Sequence, residues 1–581
     1  MTYVITQNCC KDASCIDACP ADCIRPGIDV NESGLQMLYI DPNSCVECGA
    51  CESACPVGAI YLDAELPLEQ RRYLDINADY FQTHPLDSRP APRPRERKRV
   101  EPGSLRVAIV GTGPASCYAA AELLEIEGAE VDVFERLPTP FGLIRAGVAP
   151  DHLHTKSITD LFARSLSDPR LRCHFNVEVG KDITHEELSA HYHAVIYGVG
   201  ASRSRRLGIP GEDLAGSVGG ADFVAWYNGH PDHADADFNL STQRAVIVGN
   251  GNVAIDIARV LLNSPDALRE SDIAQHSLDT LADSCINEVV LLGRRDLRHG
   301  AFSASEFLAL GSIPGIDIVI DGAVDWEPRP DDDTETTLKL RIAREYAERA
   351  ATPGNSRIIF RFMASPLEIL GRNRVEALRV TSNTFTETGT LSSGGDGAFE
   401  TIEVGLVISS IGYFGTPVVG VPFDHVAGRI PNEGGRVVDE KGELVTGVYV
   451  TGWIKRGPSG VIGTNRTCAR ETVAAVRNDV DQNRLPGAIQ PRDGVARLLA
   501  QRNVSQVDWE GWRVIDAAER NRGAANGRPR LKIVRRDTML AIVANSKALR
   551  AEPENAAPGQ GFTDMLRASV RSLMRAGGRH Q

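Results

Sequence analysis

Seven cysteines and one aspartate near the start of the chain fall into two runs of one spacing. The second run is Cys45-x2-Cys48-x2-Cys51-x3-Cys55-Pro56, and the first is Cys9-x2-Asp12-x2-Cys15-x3-Cys19-Pro20. Thiolates are soft anionic ligands that suit iron. Four closely placed cysteines followed by proline do not have the spacing of a structural zinc site. A cysteine-rich start would suggest disulfides in an exported protein. The opening Met1 to Cys10 has neither a charged segment nor a long apolar one. Metal ligation in a reducing, cytoplasmic compartment is therefore expected. Cys10 and Cys23 are two further thiols in this region, read as buried free thiols that could replace Asp12 as a ligand.

Two glycine turns carry the second kind of chemistry. The first is Gly111-Thr-Gly113-Pro-Ala115-Ser116, between an apolar strand and a helix of small residues. Gly111 permits a tight turn, Gly113 lets the backbone approach a pyrophosphate, and Ser116 is small enough for close packing. Glu135 closes the next strand and is placed to accept from ribose hydroxyls. The second turn is Gly249-Asn-Gly251-Asn252-Val253-Ala254. Its following strand ends in Arg294-Arg295 instead of an acid. Guanidinium groups bind a 2′-phosphate that a carboxylate would repel. The first turn thus reads as an FAD site and the second as an NADP(H) site.

These residues need elements to position them. Residues 1–64 read as an α+β iron–sulfur domain and 65–104 as a partly helical connector with a Pro/Arg-rich linker. Residues 105–204 and 411–545 read as two parts of an α/β FAD domain. An inserted α/β NADP-binding domain occupies 205–410, and 546–581 is a tail with helical apolar spacing. Because the linker is polar and proline-rich, few contacts should cross it, and the two halves should fold independently.

The cysteine runs resemble those of bacterial two-cluster ferredoxins, in which the fourth cysteine of each run ligates the other cluster. The resemblance implies Cys45, Cys48, Cys51 and Cys19 on one [4Fe–4S] cluster. Cys9, Cys15 and Cys55 would hold the other, with Asp12 as a weak or open fourth position, so that this cluster is [3Fe–4S] or [4Fe–4S]. The segments from Pro140 to His152, Trp226 to Pro231, Gly249 to Asp256 and Gly452 to Asn465 resemble the adrenodoxin reductase family of ferredoxin–NADP reductases. This resemblance implies FAD contacts at Ala115, Glu135, Leu143, Trp453 and Gly460-Val461-Ile462. Val179, read at the end of a strand from Phe175, is added to them. It implies NADP contacts at Gly251 to Ala254, Arg294, Arg295, Glu306 and Gly460. His152, Asp256 and Glu306 would set charge and protons where flavin meets nicotinamide. The family usually continues Gly-Arg-Arg with Gly-Pro, whereas Asp296-Leu297 follows here.

The implied activity is electron transfer from NADPH through FAD to iron–sulfur clusters and on to ferredoxin or another one-electron acceptor. A flavoprotein subunit like that of glutamate synthase is a rival reading, opposed by the Gly452 to Pro458 loop. A carrier without catalysis is another, opposed by the intact glycines, Arg294-Arg295 and Trp453. Residues 1–64 hold nine acidic and two basic side chains, a surface suited to basic redox partners. The basic run at 89–99 lacks interleaved aromatics and is read as solvated linker, so no nucleic-acid partner is expected. No stretch is apolar enough for a membrane span.

Overall fold

The computed structural model describes residues 1–27, 37–86, 99–322, 324–386, 390–393, 399–487 and 489–551. Most of the Pro/Arg-rich run and the tail from 552 onward lie outside the described residues.

The apolar runs that carry the first glycine turn become strands covered on both faces, as parallel α/β sheets require. Seven strands pair in the order Asn432–Glu433, Arg436–Val438, Leu444–Val450, Ala194–Tyr197, Arg106–Val110, Glu130–Glu135 and Leu171–Phe175. The sheet therefore draws strands from both sides of a long intervening segment. That segment forms its own six-stranded parallel sheet, ordered Ser217–Gly219, Leu406–Ser409, Arg244–Val248, Glu288–Leu292, Ser356–Arg361 and Ile316–Asp321. An antiparallel sheet over 364–403 buries Ile369, Leu378 and Val380 against Val246, Val290 and Leu292 of that sheet. The chain passes between the two sheets twice, at Arg203–Ser204 and Tyr413–Phe414, and these short strands pair antiparallel.

The strand expected to run from Phe175 to Val179 ends at Phe175. Asn176 takes φ 59°, which turns the chain out of the sheet, and Val179 makes only an isolated bridge to Ile183.

The N-terminal module has two antiparallel strand pairs, Tyr3–Ile5 with Ile60–Leu62 and Ile24–Pro26 with Leu38–Ile40. Two short helices, Ser14–Ala18 and Ala50–Ala54, follow the cysteine loops. A third helix, Arg72–Thr83, completes this module's core instead of merely connecting it onward. Its buried Asn77 accepts from Ile40 N (3.0 Å) and donates to Ile5 O (2.9 Å), and Tyr80 stacks on Tyr39 with centroids 4.1 Å apart.

The two halves are in contact, where few contacts are expected from the linker. Val57, Ala59 and Cys10 share a buried cluster with Tyr118, Phe141 and Ile462 of the flavin-type domain. Tyr73 and Ile76 line a small cavity with Ala304, Leu308 and Leu338 of the nucleotide-type domain. Arg72 pairs bidentately with Glu345 at 2.6 and 2.7 Å. A polar linker reveals the solubility of the connection, not the faces it allows to meet.

Candidate functional site

Both glycine turns have the same local construction. Gly111 (φ 95°) and Gly249 (φ 118°) occupy the left-handed region, where a Cβ would lie 2.6 Å from Gly198 O and 2.2 Å from Ser410 O, respectively. Each donates its amide to the end of the neighbouring strand, at Phe134 O (2.7 Å) and Leu292 O (2.9 Å). Gly113 and Gly251 then open the helices Pro114–Leu124 and Asn252–Leu262 with no side-chain cap on the first amides. Uncapped amides at a helix N-terminus are ready donors for phosphate.

Glu135 accepts from Thr112 N (3.0 Å) and Thr112 Oγ1 (2.7 Å), fixing the first turn to the end of its second strand. Leu143 is partly exposed beside the same turn, whereas Ala115 is buried under Gly452. Gly460, Val461 and Ile462 form a tight loop into the helix Thr464–Asp481. Thr464 Oγ1 accepts from Val461 N (3.1 Å), and Asn465 Nδ2 donates to Val461 O and Ile462 O. Trp453 donates to Ser459 O (3.1 Å) and stacks near Tyr413, on the ribbon that joins the two domains. The residues thus fit a flavin dinucleotide: uncapped amides for its pyrophosphate, an acid at the strand end and an aromatic at the domain crossing.

Arg294 and Arg295 follow the strand Glu288–Leu292, are exposed, and make no ion pair among the described residues. Their backbone is nevertheless held, since Asn383 Nδ2 donates to Arg294 O (2.8 Å) and Met363 N to Arg295 O (3.1 Å). Asp296 caps the turn Leu297–His299 through His299. Glu306 lies in the first turn of the helix Ala304–Leu310, whose cap Ser303 donates its amide to Asn252 Oδ1 (2.8 Å) in the second glycine turn. The departure from Gly-Pro therefore leaves Glu306 tied to the nucleotide turn.

His152, Asp256 and Glu306 come together from three elements, each offering one atom within 4.8 Å of the others, with His152 Nε2 3.7 Å from Glu306 Oε2. Asp256 also pairs with Arg259, which pairs in turn with Asp151. Burial pushes the Asp256 carboxyl up, while His152 and Arg259 pull it back. Burial opposes charge on Arg259, yet Asp151, Asp256 and Glu306 hold it protonated. No sequence pattern singles out Asp151 and Arg259, because their pairing exists only once separate segments meet.

The cysteines divide between two places. Cys19, Cys45, Cys48 and Cys51 line one cavity of about 270 Å³, counted to its open mouth, with Cys23, Tyr3 and Ile40. The thiol of Cys51 is pushed by burial up to about 11. Cys9, Cys15 and Cys55 gather on the side facing the flavin-type domain. Burial, followed by Cys9 and Cys55, pushes the Cys15 thiol far up. Crowded thiolates of this kind need the positive charge that cluster iron would supply. The donor sets therefore fit iron–sulfur groups.

The inner loop is built into the flavin-type domain. Gly463, directly after Ile462, donates to Cys10 O (2.8 Å), and a Cβ there would lie 2.0 Å from Lys11 C. Arg466 donates to Asp12 O (2.7 Å) and Ser14 Oγ (3.2 Å), and lies 3.6 Å from Asp17. Tyr118, on the helix after the first turn, donates to Asp12 Oδ2 (2.7 Å). Burial and the adjacent carboxylate push its phenol up, so it remains a donor. Tyr118, Gly463 and Arg466 carry no local sequence signal of this contact.

Two family models match the chain. A 4Fe-4S binding domain matches residues 38–61, and a pyridine nucleotide-disulphide oxidoreductase matches residues 105–296. A probable ferredoxin/ferredoxin–NADP reductase of Mycobacterium tuberculosis is 44% identical over 94% of this chain and 96% of its own. The NADPH-ferredoxin reductase FprA of the same organism is 43% identical, over 75% of this chain and 98% of its own. The structure of Mycobacterium tuberculosis FprA in complex with NADPH superposes with a TM-score of 0.72 at 42% identity, covering 76% of this chain and 99% of that one.

Proposed function

The chain belongs to the ferredoxin/ferredoxin–NADP reductase family, and from that premise we propose an internal route for its electrons: NADPH, FAD, an inner cluster, an outer cluster, and then a one-electron acceptor protein. NADPH would lie on the second glycine turn with its 2′-phosphate between Arg294 and Arg295. FAD would lie on the first turn, against Glu135, Leu143, Trp453 and the loop 460–462. When bound, the flavin would accept one hydride, two electrons together, and give them up singly.

The protein's part is placement. Glu306 and the second turn are joined through Ser303 and Asn252, so nucleotide binding and the His152–Glu306 pair share one scaffold. His152 and Asp256 bring a proton-bearing group and a carboxyl that burial makes reluctant to ionise to the place where the two domains meet. The inner cluster would be held by Cys9, Cys15 and Cys55, with Asp12 at the fourth position, as [3Fe–4S] or [4Fe–4S]. The outer [4Fe–4S] cluster would be held by Cys19, Cys45, Cys48 and Cys51.

The observation that carries this order is the hydrogen bond from Gly463 to Cys10. It joins the loop given to the flavin directly to the run given to a cluster. The outer set, with Cys48 exposed, faces solvent. Anaerobic addition of NADPH to the full chain should bleach the flavin and then raise cluster signals in electron paramagnetic resonance. Flavin bleaching with no cluster signal at any NADPH level would end the proposed route. Replacing Arg294 and Arg295 by alanine should raise the KM for NADPH at least about tenfold relative to NADH, because charge-assisted bonds are worth about 1.5–3 kcal/mol each. An unchanged ratio would place 2′-phosphate recognition elsewhere.

A further inference from the structure

We propose that the flavoprotein half sets the iron content of the inner site: Tyr118 holds the Asp12 carboxylate away from the fourth iron position, so the docked module keeps a three-iron cluster there. The proposal rests on the reading that the N-terminal module carries two clusters.

Asp12 stands where Cys48 stands in the other run. Sequence alone makes it a weak ligand. The structure shows it already occupied. Its Oδ2 accepts from Tyr118 Oη at 2.7 Å, and its Oδ1 accepts from Ser14 N at 3.2 Å and from the Ser14 hydroxyl. Arg466 Nη1 lies 3.6 Å from Oδ1 and donates to the backbone oxygen of the same residue. Asp12 is 4% exposed, so solvent cannot replace a partner that it loses. Tyr118 cannot follow a moving carboxylate, because its ring is buried and packed edge-on against Phe162 at 4.8 Å. To reach iron through Oδ2, Asp12 would have to leave a buried phenol without an acceptor, and through Oδ1 it would have to give up both Ser14 donors, arrangements proteins avoid.

The interlock comes from the other domain. Tyr118 belongs to the helix Pro114–Leu124, which follows the first glycine turn. The module's own loop supplies only Ser14. Cluster type is then a property of the docked pair and not of the cysteine run alone.

The test uses the full chain, purified anaerobically, with Tyr118→Phe and the double variant Tyr118→Phe/Asp12→Asn. Each is incubated with dithionite and isotopically enriched Fe²⁺. The step is balanced: a reduced [3Fe–4S]⁰ cluster takes up one Fe²⁺ to give [4Fe–4S]²⁺, with the freed Asp12 carboxylate as the new ligand. Mössbauer spectra and the oxidised three-iron resonance read the outcome, and flavin content confirms folding. The parent should keep its three-iron centre, Tyr118→Phe should convert, and the double variant should not. Equal conversion in parent and Tyr118→Phe, conversion in neither, or conversion in the double variant would each overturn the interlock. A parent isolated with two four-iron centres would overturn it while leaving the two-cluster reading intact. Iron and sulfide sufficient for only one cluster would remove that reading and the interlock with it.

Discussion

From Cys9 to Cys19 the chain turns through Lys11 (φ 59°) and Ala13 (φ 63°) into a five-residue helix. From Cys45 to Cys55 it turns through Glu47 (φ 55°) and Gly49 (φ 74°) into another of five residues. The closing cysteines match as well, with Cys19 at φ −77°, ψ 112° and Cys55 at φ −76°, ψ 114°. The surroundings are opposite. The inner loop is pressed on Gly463, Arg466 and Tyr118, and its fourth-position residue is 4% exposed. The outer loop leaves Cys48 open to solvent. The spacing of cysteines dictates a backbone; on the proposed route, what the loop is pressed against decides whether it receives electrons from within or passes them outward.

Breaking the outer loop has the largest expected effect. Cys48→Ser should lower NADPH-driven cytochrome c reduction about tenfold or more, the scale on which metal sites respond to altered ligation. Ferricyanide reduction, which needs only reduced flavin, should persist. Asp12→Asn should leave both rates within about twofold, because on the geometry above Asp12 binds a phenol and not iron. Cytochrome c rates in the two variants that fall together would erase the distinction between the loops.

A matched pair of glycines gives the next effect. Gly463→Ala places a methyl 2.0 Å from Lys11 C and 2.4 Å from Asp12 N. Displacing that backbone should cost about 1–3 kcal/mol, as overpacking does, and should slow flavin-to-cluster transfer in stopped flow. Gly49→Ala on the outer loop meets only the Tyr3 hydroxyl, at 3.2 Å, in a left-handed residue. It should lower stability by about 1 kcal/mol and leave the transfer rate unchanged. If Gly49→Ala slows transfer as much as Gly463→Ala does, proximity to the flavin domain is not what separates the loops.

Arg466→Lys should have a smaller effect. It keeps the charge but loses the fork in which Nη1 donates to Asp12 O and Ser14 Oγ while Nη2 lies 3.6 Å from Asp17. Transfer from flavin to the inner site should slow a few-fold, while the melting of the flavin domain stays put. The smallest effect is expected from Ala13→Gly. Ala13 holds the left-handed conformation that Gly49 holds in the other loop. Relieving it should raise the midpoint of module unfolding, followed by iron–sulfur absorbance, by the equivalent of at most about 1 kcal/mol.

Much of this was legible in the sequence because the signals are local. The cysteine runs, Gly111 with Glu135, and Gly249 with Arg294-Arg295 each lie within one loop or one β-α-β unit. The placement of Glu306 was harder, since Asp296-Leu297 broke the expected pattern; the Asn252–Ser303 contact holds the helix in place by another means. The contacts of Asp12 with Tyr118 and Arg466 join residues 106 and 454 positions apart, and no local pattern announces such pairs. From sequence the helix Arg72–Thr83 reads as connector, because its length and apolar spacing are ordinary. Its membership in the N-terminal core depends on Asn77 finding the backbone of Ile5 and Ile40. The strand break at Asn176 was hidden by the apolar alternation on either side of it.

Among the described residues the chain crosses between the two large domains at Arg203–Ser204 and Tyr413–Phe414, and the two crossings pair side by side. A joint of two adjacent strands is, mechanically, a pivot. The N-terminal module rests on one body at Gly463 and on the other at Glu345. Three bodies in mutual contact make a truss, and a truss does not swing. For the nucleotide domain to turn about its pivot, the module must part from it at Arg72–Glu345 and at Tyr73 and Ile76, or slide off Gly463, and the direct pairs Arg259–Asp151 and Lys156–Asp272 must break as well. Opening the joint therefore means undoing an outer member of the truss together with the ion pairs that tie the two large bodies directly.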